Sequence, residues 1–213
     1  MPLLTSIAPI ILAAGDSARM GYPKALLPLG RDTFLTRILG TMARVGLASP
    51  TIILGRAALA IQAEICNWHT NILINPDPSR GQLSSIQLAL SSLHPDFSSA
   101  MIWPVDQPLV SEKLVYDIAQ LFLATGALIA FPTCGDKRGH PAVFHRLLFH
   151  EFMDTPLEEG PQNILLRHQH ATATLATDES ATVADIDTPS EYRAIIGEEL
   201  NSALARSKVP PRD

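Results

Sequence analysis

The sequence reads Leu12-Ala13-Ala14-Gly15-Asp16-Ser17-Ala18-Arg19-Met20-Gly21-Tyr22-Pro23-Lys24 directly after the apolar run Ala8-Pro9-Ile10-Ile11, so a predicted strand leads into a loop of small residues. Small residues let backbone N–H groups approach a ligand closely, and glycine permits the positive φ angles that aim those groups at an anion. Arg19 and Lys24 add positive charge that suits phosphate oxygens. The stretch therefore predicts a phosphate-binding loop at the carboxyl end of the first strand, where open α/β sheets bind their ligands.

Two common phosphate-binding loops do not fit this stretch, and one simpler interpretation stays open. A Walker A loop has lysine directly after its second glycine, whereas Gly21 is followed by Tyr22-Pro23. The dinucleotide fingerprint G-x-G-x-x-G is not matched by Asp16-Ser17-Ala18 after the first glycine. The simpler alternative is a strand-to-helix turn whose two basic residues are solvated.

Composition limits the classes of protein to which the chain can belong. Its 213 residues, 46% of them hydrophobic, suffice for one domain with a large core. We expect residues 1–200 to form that domain and residues 201–213 to form a disordered tail. The net charge of −5 argues against nucleic acid as a partner, and no apolar run is long enough for a membrane span. Cys66 and Cys134 suggest neither a disulfide framework nor a zinc site. The apolar run near the N-terminus lacks the basic flank of a signal peptide. We therefore expect a cytoplasmic protein.

Apolar runs alternate with helical patterns along most of the chain. We predict strands at 10–12, 51–54, 71–74, 101–105 and 127–131, a short one at 141–144 that can be antiparallel, and a last one at 182–186. We predict helices at 33–45 (capped by Asp32 or Thr33), 57–68, 81–93, from Ser111 onward, around 147–153, at 162–168 and at 189–199. This α/β alternation implies a mostly parallel sheet with helices on both faces, which is a three-layer α/β/α, Rossmann-like fold.

Three aspartates are candidate metal ligands. Asp106 ends a predicted strand at the same sheet edge as the loop, where a carboxylate can hold Mg²⁺ against a triphosphate. A turn-forming or capping role is the alternative for Asp106. Asp185 and Asp187 lie two residues apart and share a face if their segment is extended, so they can complete the site. Alternatively, Asp187 or Thr188 simply caps the helix that starts at Pro189.

The loop closely resembles the pattern L-A-A-G-x-x-x-R-M-G-x-x-K of the MobA-like NTP transferases, a family that includes molybdenum cofactor cytidylyltransferases. The resemblance extends from Ile10 to about Tyr192 and implies a nucleotidyltransferase fold. It implies catalytic roles for Arg19, Lys24 and Asp106. It also implies that the nucleotide is bound by Leu12, Ala13, Ala14, Gly15, Arg19 and Lys24.

Two later motifs are similar to metal-binding motifs of that family. Val105-Asp106-Gln107-Pro108 resembles D-x-P, whose aspartate binds the catalytic metal, which is Mg²⁺. Asp185-Ile186-Asp187-Thr188-Pro189 resembles D-I-D-T-P, which supplies a second metal ligand. Of the two aspartates we favour Asp187 over Asp185.

Two further motifs resemble substrate-binding elements. Asn75-Pro76-Asp77 with Gly81-Gln82-Leu83-Ser84-Ser85 resembles N-P-x…G-x-x-S-S, which implies that Asn75, Ser84 and Ser85 bind the nucleotide; an ordinary helix N-cap is the alternative. Arg138-Gly139-His140-Pro141 resembles R-G-x-P, which lies near the acceptor, and a solvated hairpin turn is the alternative. The implied acceptor-binding residues are Gln107, Pro108, Arg138, Gly139 and His140.

The resemblance implies transfer of a nucleoside monophosphate from an NTP to a phosphorylated acceptor, with release of pyrophosphate. The form Ala13-Ala14-Gly15 resembles the cytidylyl branch, which favours CTP as donor, molybdopterin cofactor as acceptor and a molybdoenzyme as a candidate partner. Gly160-Pro161-Gln162 departs from the G-x-R element of many such enzymes, so a sugar phosphate or another phosphorylated metabolite stays open as acceptor. A non-catalytic nucleotide-binding or chaperone-like module is the alternative from another class.

Overall fold

The computed structural model describes residues 4–207, and no helix within them is long and apolar enough to cross a membrane. The strands are β1 Ile7–Ala13, β2 Pro28–Leu29, β3 Asp32–Thr33, β4 Thr51–Leu54, β5 Asn71–Ile74, β6 Ser99–Pro104, β7 Ile129–Cys134, β8 Lys137–Arg138, β9 Ala142–His145 and β10 Thr172–Ala176. The α-helices are α1 Phe34–Arg44, α2 Ala58–Glu64, α3 Gln82–Ser91, α4 Glu112–Thr125, α5 Phe149–Asp154, α6 Gln162–Arg167, α7 Pro189–Ile196 and α8 Leu200–Arg206.

An eight-stranded mixed sheet forms the middle of the molecule. Its order is β10-β7-β9-β6-β1-β4-β5, with β8 paired to β7, while β2 and β3 form a separate two-stranded ribbon. β1 runs parallel to both β4 and β6, and β9 runs antiparallel to β6 and β7. The predicted mostly parallel sheet, with an antiparallel strand near 141–144, is confirmed. Because β1, β4 and β6 are parallel neighbours, their carboxyl ends meet at one edge of the sheet.

Two hydrophobic cores lie on opposite faces of this sheet. Every residue of β1 is buried, and its side chains alternate between the cores as the period of a strand requires. Ile11 packs in one core with residues of α1 and α4, and Ile10 packs in the other with residues of α3 and α5. A strand that is buried on both faces reads as a continuous apolar run. The predicted three-layer α/β/α arrangement is therefore confirmed.

Side-chain caps fix where three of the helices begin. Thr33 Oγ1 accepts a hydrogen bond from the Thr36 backbone N–H at the start of α1, and Ser111 Oγ accepts from Leu114 N–H at the start of α4. Thr188, not Asp187, caps α7 through a capping box with Glu191. The carboxylate of Asp187 therefore remains available for other contacts.

The prediction of a last strand at 182–186 is wrong. Ser180–Thr182 forms a 3₁₀ turn, and the last strand of the described residues is β10, Thr172–Ala176. β10 lies at the edge of the sheet, is only partly buried and contains one large apolar residue, so its hydrophobic signal in the sequence is weak. The backbone N–H of Ile186 nevertheless donates to Asp106 O (3.1 Å), which holds the segment 185–187 beside the end of β6.

The C-terminal region also differs from the prediction. The helix predicted at 189–199 ends at Ile196, because Gly197 adopts the left-handed conformation (φ 86°) that ends many helices. The tail predicted to be disordered from residue 201 contains most of α8, and Leu200 and Ala203 bury one face of that helix in the core. Apolar residues three apart form such a stripe even in a short polar helix. Residues 208–213 of the predicted tail lie outside the described part of the chain.

Tyr192 attaches α7 to strand β2 and helix α1. Its side chain is fully buried, its hydroxyl donates to Pro28 O (2.8 Å), and its ring stacks on Phe34 with centroids 6.1 Å apart. Burial raises the pKa of Tyr192 to about 12, so the hydroxyl keeps its proton at neutral pH. This contact holds the segment that carries Asp187 in place.

We expect Tyr192→Phe to lower the free energy of unfolding by about 1–2 kcal/mol, because the buried carbonyl of Pro28 loses its donor. Urea unfolding followed by circular dichroism measures this difference. Tyr116→Phe, at a partly buried tyrosine of α4, is the control and should change stability by less than about 0.5 kcal/mol. Equal stability of the two variants would mean that the Tyr192 hydroxyl does not fasten α7.

Candidate active site

A cavity of about 310 Å³ opens at the sheet edge where β1, β4 and β6 end. Its wall combines the backbone of the loop after β1 with charged side chains from three parts of the chain. The lining residues are Leu12, Ala13, Ala14, Gly15, Asp16, Ser17, Ala18, Arg19, Pro23, Lys24, Ala25, Gly55, Arg56, Ala57, Ile61, Val105, Asp106 and Asp187. The structure thus brings together the predicted loop residues, both predicted cations and two of the three predicted metal-binding aspartates.

Ser17 organises the loop between β1 and Lys24. Its φ of 53° places it in the left-handed region, and its carbonyl accepts hydrogen bonds from the N–H groups of Met20 (3.1 Å) and Gly21 (3.0 Å). Its hydroxyl accepts from the Lys24 N–H (3.1 Å). The turn therefore fixes the backbone from which the Lys24 side chain reaches into the cavity.

Gly55, directly after β4, lets the neighbouring chain approach the loop. A Cβ at this position would collide with the carbonyl oxygen of Ala14. Only glycine allows the two backbones to lie this close. The wall of the cavity beside Ala14 therefore depends on the absence of a side chain at position 55.

Lys24 lies between two carboxylates that line the cavity with it. Its Nζ donates to Asp106 Oδ2 (2.8 Å) and, in a short contact, to Asp187 Oδ1. Arg19 Nη2 donates to the other oxygen of Asp187, Oδ2 (2.6 Å), although the Arg19 side chain is 71% exposed. The remaining oxygen of this set, Asp106 Oδ1, is buried and has no hydrogen-bond partner.

These contacts change the pKa values of the charged groups. The hydrogen bond from Lys24, opposed by burial and assisted by the charges of Lys24 and Arg19, lowers the pKa of Asp187 below its ordinary value of 3.8. Burial by itself lowers the pKa of Lys24, but Asp106 and Asp187 outweigh burial and the net direction is upward. Lys24 is therefore a permanent cation at neutral pH, and Asp187 is ionised.

Asp185 lies close to this network but contacts a different partner. Its Oδ1 accepts a hydrogen bond from Gln107 Nε2 (2.7 Å), and Asp185 is not among the residues that line the cavity. Asp187, two residues on, contacts Lys24 and Arg19. The geometry thus separates the two aspartates that the sequence left as alternatives. Across residues 4–207, no group of three or more His, Cys, Asp or Glu side chains is arranged to hold a metal ion.

His140 is turned inward beside the same aspartates. Burial lowers the pKa of His140, against the opposing charges of Asp185 and Asp106, so its ring is neutral at pH 7, and its Nδ1 is buried without a partner. The backbone around it is held by Thr182: His140 N–H donates to Thr182 O (2.9 Å) and Thr182 Oγ1 donates to His140 O (2.7 Å). A Cβ on Gly139 would collide with Thr182, so glycine is needed there.

Three other predicted acceptor residues, Arg138, Gln107 and Pro108, are not among the residues that line the first cavity. Arg138 is exposed on β8, with its guanidinium 5.8 Å from the centroid of the Phe131 ring, in a hairpin with β7. Pro108 and Gln107 line a second cavity of about 330 Å³ that Ile186 and Ile195 also line. The backbone at Arg138 thus has the hairpin form that was the alternative, and its role toward an acceptor stays a prediction.

Asn75, Ser84 and Ser85 are not among the residues that line the first cavity. Asn75 Nδ2 donates to both serine hydroxyls at 2.9 Å, and Asn75 and Ser85 are buried. Asn75 Oδ1 also accepts from the Asp77 N–H (3.0 Å). These bonds tie the end of β5 to the start of α3, and a nucleotide-binding role for the three residues stays a prediction.

The sequence analysis missed Arg56 and Asp16, which both line the cavity. Arg56 Nε lies 3.7 Å from Asp16 Oδ1, and the Arg56 side chain is 76% exposed. Arg56 follows the end of β4 after a single glycine, so the rule that the carboxyl ends of parallel strands meet at one edge could have found it. Arg56 brings a third basic side chain to the cavity.

Comparison with known proteins identifies the family and the fold of the chain. A family model described as MobA-like NTP transferase domain matches residues 9–172. The crystal structure of Rv0371c from Mycobacterium tuberculosis H37Rv is 30% identical, has a TM-score of 0.80 and covers 90% of this chain and 97% of that chain. The structure of Rv0371c in complex with manganese is 28% identical, with a TM-score of 0.77 and coverages of 90% and 98%.

A more distant match shares the fold alone. Molybdopterin-guanine dinucleotide biosynthesis protein A from Archaeoglobus fulgidus is 16% identical, with a TM-score of 0.66, and covers 88% of this chain and 96% of that chain. Together the matches confirm the predicted fold class.

We expect Lys24→Met to raise the pKa of Asp187, because the hydrogen bond from Lys24 is the largest cause of its lowering. Titration of the side-chain carboxyl ¹³C signal of Asp187 measures the change. The ion pair stabilises the fold above about pH 3.8 and loses that contribution as the pH falls through the lowered folded-state pKa. Lys113→Met, which removes an exposed lysine paired with Asp117, is the control and should leave the Asp187 titration unchanged.

Proposed function

This chain belongs to the MobA-like NTP transferase family and is a nucleotidyltransferase, and on that basis we propose that it transfers CMP from CTP to the phosphate of molybdopterin cofactor. An acceptor phosphate oxygen attacks the α-phosphorus of the NTP, the bond from the α-phosphorus to the bridging oxygen breaks, and pyrophosphate leaves with that oxygen. A new phosphoanhydride bridge joins acceptor and CMP.

The observation that carries the proposal is the position of Lys24 between Asp106 and Asp187, on the wall of a cavity that the loop after β1 also lines. Phosphoryl-type transfer needs little covalent chemistry from the protein, so catalysis consists of positioning and charge stabilisation. Lys24 and Arg19 can exchange their carboxylate partners for phosphate oxygens. The backbone of residues 12–15 would hold the nucleotide against them.

The two carboxylates fit a divalent cation. Mg²⁺ prefers oxygen ligands and is commonly held by one or two carboxylates together with substrate phosphates. Asp106 Oδ1 is a buried carboxylate oxygen without a partner, and Asp187 Oδ1 becomes free when Lys24 turns to a phosphate. We assign Asp106 and Asp187 as the residues that would hold Mg²⁺. When bound, the ion would polarise the α-phosphate and neutralise charge on the triphosphate.

The preference for CTP rests on the form Ala13-Ala14-Gly15, and the molybdopterin acceptor rests on the same resemblance. A molybdoenzyme that receives the product would be the corresponding partner. One observation favours a second candidate function: Gly160-Pro161-Gln162 lacks the arginine of the G-x-R element, which suits a different or less anionic acceptor. That candidate is nucleotidyl transfer to a sugar phosphate.

The test is pyrophosphate release with Mg²⁺ and each of CTP, GTP, ATP and UTP, with purified molybdenum cofactor, with glucose 1-phosphate and with no acceptor. Release that requires the cofactor and is fastest with CTP is the expected result. Release only with glucose 1-phosphate would replace the acceptor and keep the reaction type. Tight NTP binding without metal-dependent release under any condition would favour the non-catalytic nucleotide-binding module.

We expect Lys24→Met and Asp106→Asn each to lower kcat by about 10²–10³, the usual effect of removing one positioned charge from a transition state. Steady-state pyrophosphate release at saturating substrates measures kcat. The matched controls are Lys113→Met and Asp117→Asn, which remove the same residue types from an exposed ion pair of α4. A wild-type rate in Lys24→Met or Asp106→Asn would remove that residue from the mechanism.

Lys24 should also compete with the metal while no nucleotide is bound, because its ammonium group already neutralises Asp106 and Asp187. We expect Lys24→Met to bind Mn²⁺ alone about tenfold more tightly than the wild type, a difference of about 1.4 kcal/mol. The same variant should bind CTP more weakly. Electron paramagnetic resonance of free Mn²⁺ gives the first constant and calorimetry the second, with Lys113→Met as control. Equal Mn²⁺ affinity in the wild type and Lys24→Met would contradict this competition.

A further inference from the structure

Arg56 is a cation of the first cavity that the proposed mechanism does not use. It lies two residues after the end of β4, it lines the cavity, and its side chain is largely exposed. Its Nε lies 3.7 Å from Asp16 Oδ1, which is longer than a hydrogen bond. The guanidinium group is therefore within reach of a molecule that enters the cavity.

The strand order separates Arg56 from the charged network around Lys24. β1 lies between β6 and β4, Asp106 follows β6 by two residues, and Arg56 follows β4 by two residues. Neighbouring strands are about 4.8 Å apart, which places about 10 Å between the ends of β6 and β4. Lys24 contacts Asp106, so it lies on the β6 side. The cavity therefore has two charged regions, one on each side of the end of β1.

The region around Arg56 suits a nucleobase better than a chain of phosphates. Ala57 and Ile61 are apolar, both line the cavity, and the Ile61 N–H donates to Ala57 O (3.1 Å). Pockets for small molecules combine such apolar walls with a few polar groups. Asp16 brings a carboxylate to the same region, and its negative charge would repel a triphosphate.

An arginine distinguishes bases by the pattern of their acceptor atoms. The guanidinium group only donates, and two of its N–H groups point in parallel, so it fits two adjacent acceptors. Cytosine offers O2 and N3 side by side, and guanine offers O6 and N7. In uracil each carbonyl stands beside N3–H, and in adenine N1 and N7 each stand beside the amino group. An arginine therefore favours cytosine and guanine over uracil and adenine.

We propose that Arg56 recognises the nucleobase of the donor by donating two hydrogen bonds to adjacent acceptor atoms, and that it thereby selects CTP over UTP. The inference rests on the proposed function in one respect, which is that an NTP occupies this cavity. It is independent of the form Ala13-Ala14-Gly15, on which the preference for CTP otherwise rests. Guanine presents the same pair of acceptors, so GTP is the other donor that this contact allows.

A contact with the β- and γ-phosphates is the other use of an exposed arginine at a nucleotide site. Such a contact depends on charge, which lysine also supplies, whereas a paired contact with a base depends on the planar shape of the guanidinium group. It does not discriminate between bases, and it is impossible with CMP and UMP, which lack those two phosphates. The two uses of Arg56 therefore predict different effects of the same substitutions.

The test measures nucleotide affinity by calorimetry for the wild type, Arg56→Met, Arg56→Lys and the control Arg44→Met. Arg44 is a matched control because its side chain is exposed, pairs with Glu112 and does not line the first cavity. Each protein is titrated with CTP, UTP, GTP and ATP in the presence of Mg²⁺ and without acceptor, and then with CMP and UMP. Thermal unfolding establishes that each variant is folded.

We expect the wild type to bind CTP more tightly than UTP. Both Arg56 variants should weaken CTP binding about tenfold, the size of a lost hydrogen bond to a charged group, and change the Kd for UTP less than about threefold. The preference for CMP over UMP should fall in the same way, and Arg44→Met should keep the wild-type constants. A preference for GTP over ATP that both Arg56 variants lose would support the same contact and make GTP the donor.

Two results would overturn the inference. The first is weaker binding of all four NTPs by Arg56→Met that Arg56→Lys restores, with CMP binding unchanged, which would make Arg56 a phosphate-binding residue. The second is an equal ratio of CTP to UTP affinity, and of GTP to ATP affinity, in the wild type and in Arg56→Met, which would exclude a contact with the base.

The failure of this inference differs from the failure of the proposed function. If the wild type transfers CMP to molybdenum cofactor and Arg56→Met keeps the wild-type base preference, the inference is wrong and the proposed function stands. If both Arg56 variants lose the base preference but the wild type transfers to no acceptor, Arg56 recognises the base and the proposed function is wrong. A folded wild type that binds none of the four NTPs would contradict both.

Discussion

The charged contact of Lys24 with Asp106 and Asp187 is the constraint on which the rest of the site depends. It joins three segments that are far apart in the sequence: the loop after β1, the end of β6 and the residues before α7. Two carboxylates this close together would repel each other without a cation between them. The fold therefore holds this negative charge in place with a lysine, and a divalent cation in the place of that lysine would keep the carboxylates neutralised.

Much of this arrangement could be predicted from the sequence because its signals are local. A buried parallel strand is a continuous apolar run, and the residues that follow such strands share an edge, which predicts that the loop, Asp106 and the cations meet. Helix starts were equally local, since Thr33 and Ser111 cap the helices that follow them. The sequence favoured Asp187 over Asp185 as a metal ligand, and the contact of Asp187 with Lys24 is a finding of the structure alone.

Elements and contacts that depend on residues distant in the sequence could not be predicted in the same way. β10 is an edge strand with weak hydrophobicity, and only its pairing with β7 makes it a strand. A helix as short as α8 has only marginal stability by itself. It forms because Leu200 and Ala203 pack in the hydrophobic core. The hydrogen bond between Asp185 and Gln107 joins residues 78 positions apart, so no local pattern in the sequence predicts it.

The attachment of α7 by Tyr192 has a consequence for how the protein is made. Asp187 reaches Lys24 across 163 positions of sequence, and Tyr192 reaches Pro28 across 164. Domains generally fold as units, and the core that contains Ile11 also contains Ile186 and Tyr192, so this domain is complete only after these late residues have been synthesised. Until the segment 187–192 has been translated, the nascent chain lacks both the contact from Lys24 to Asp187 and the contact from Tyr192 to Pro28. A translation product interrupted before Asp187 has the loop but lacks the charge balance that completes the site.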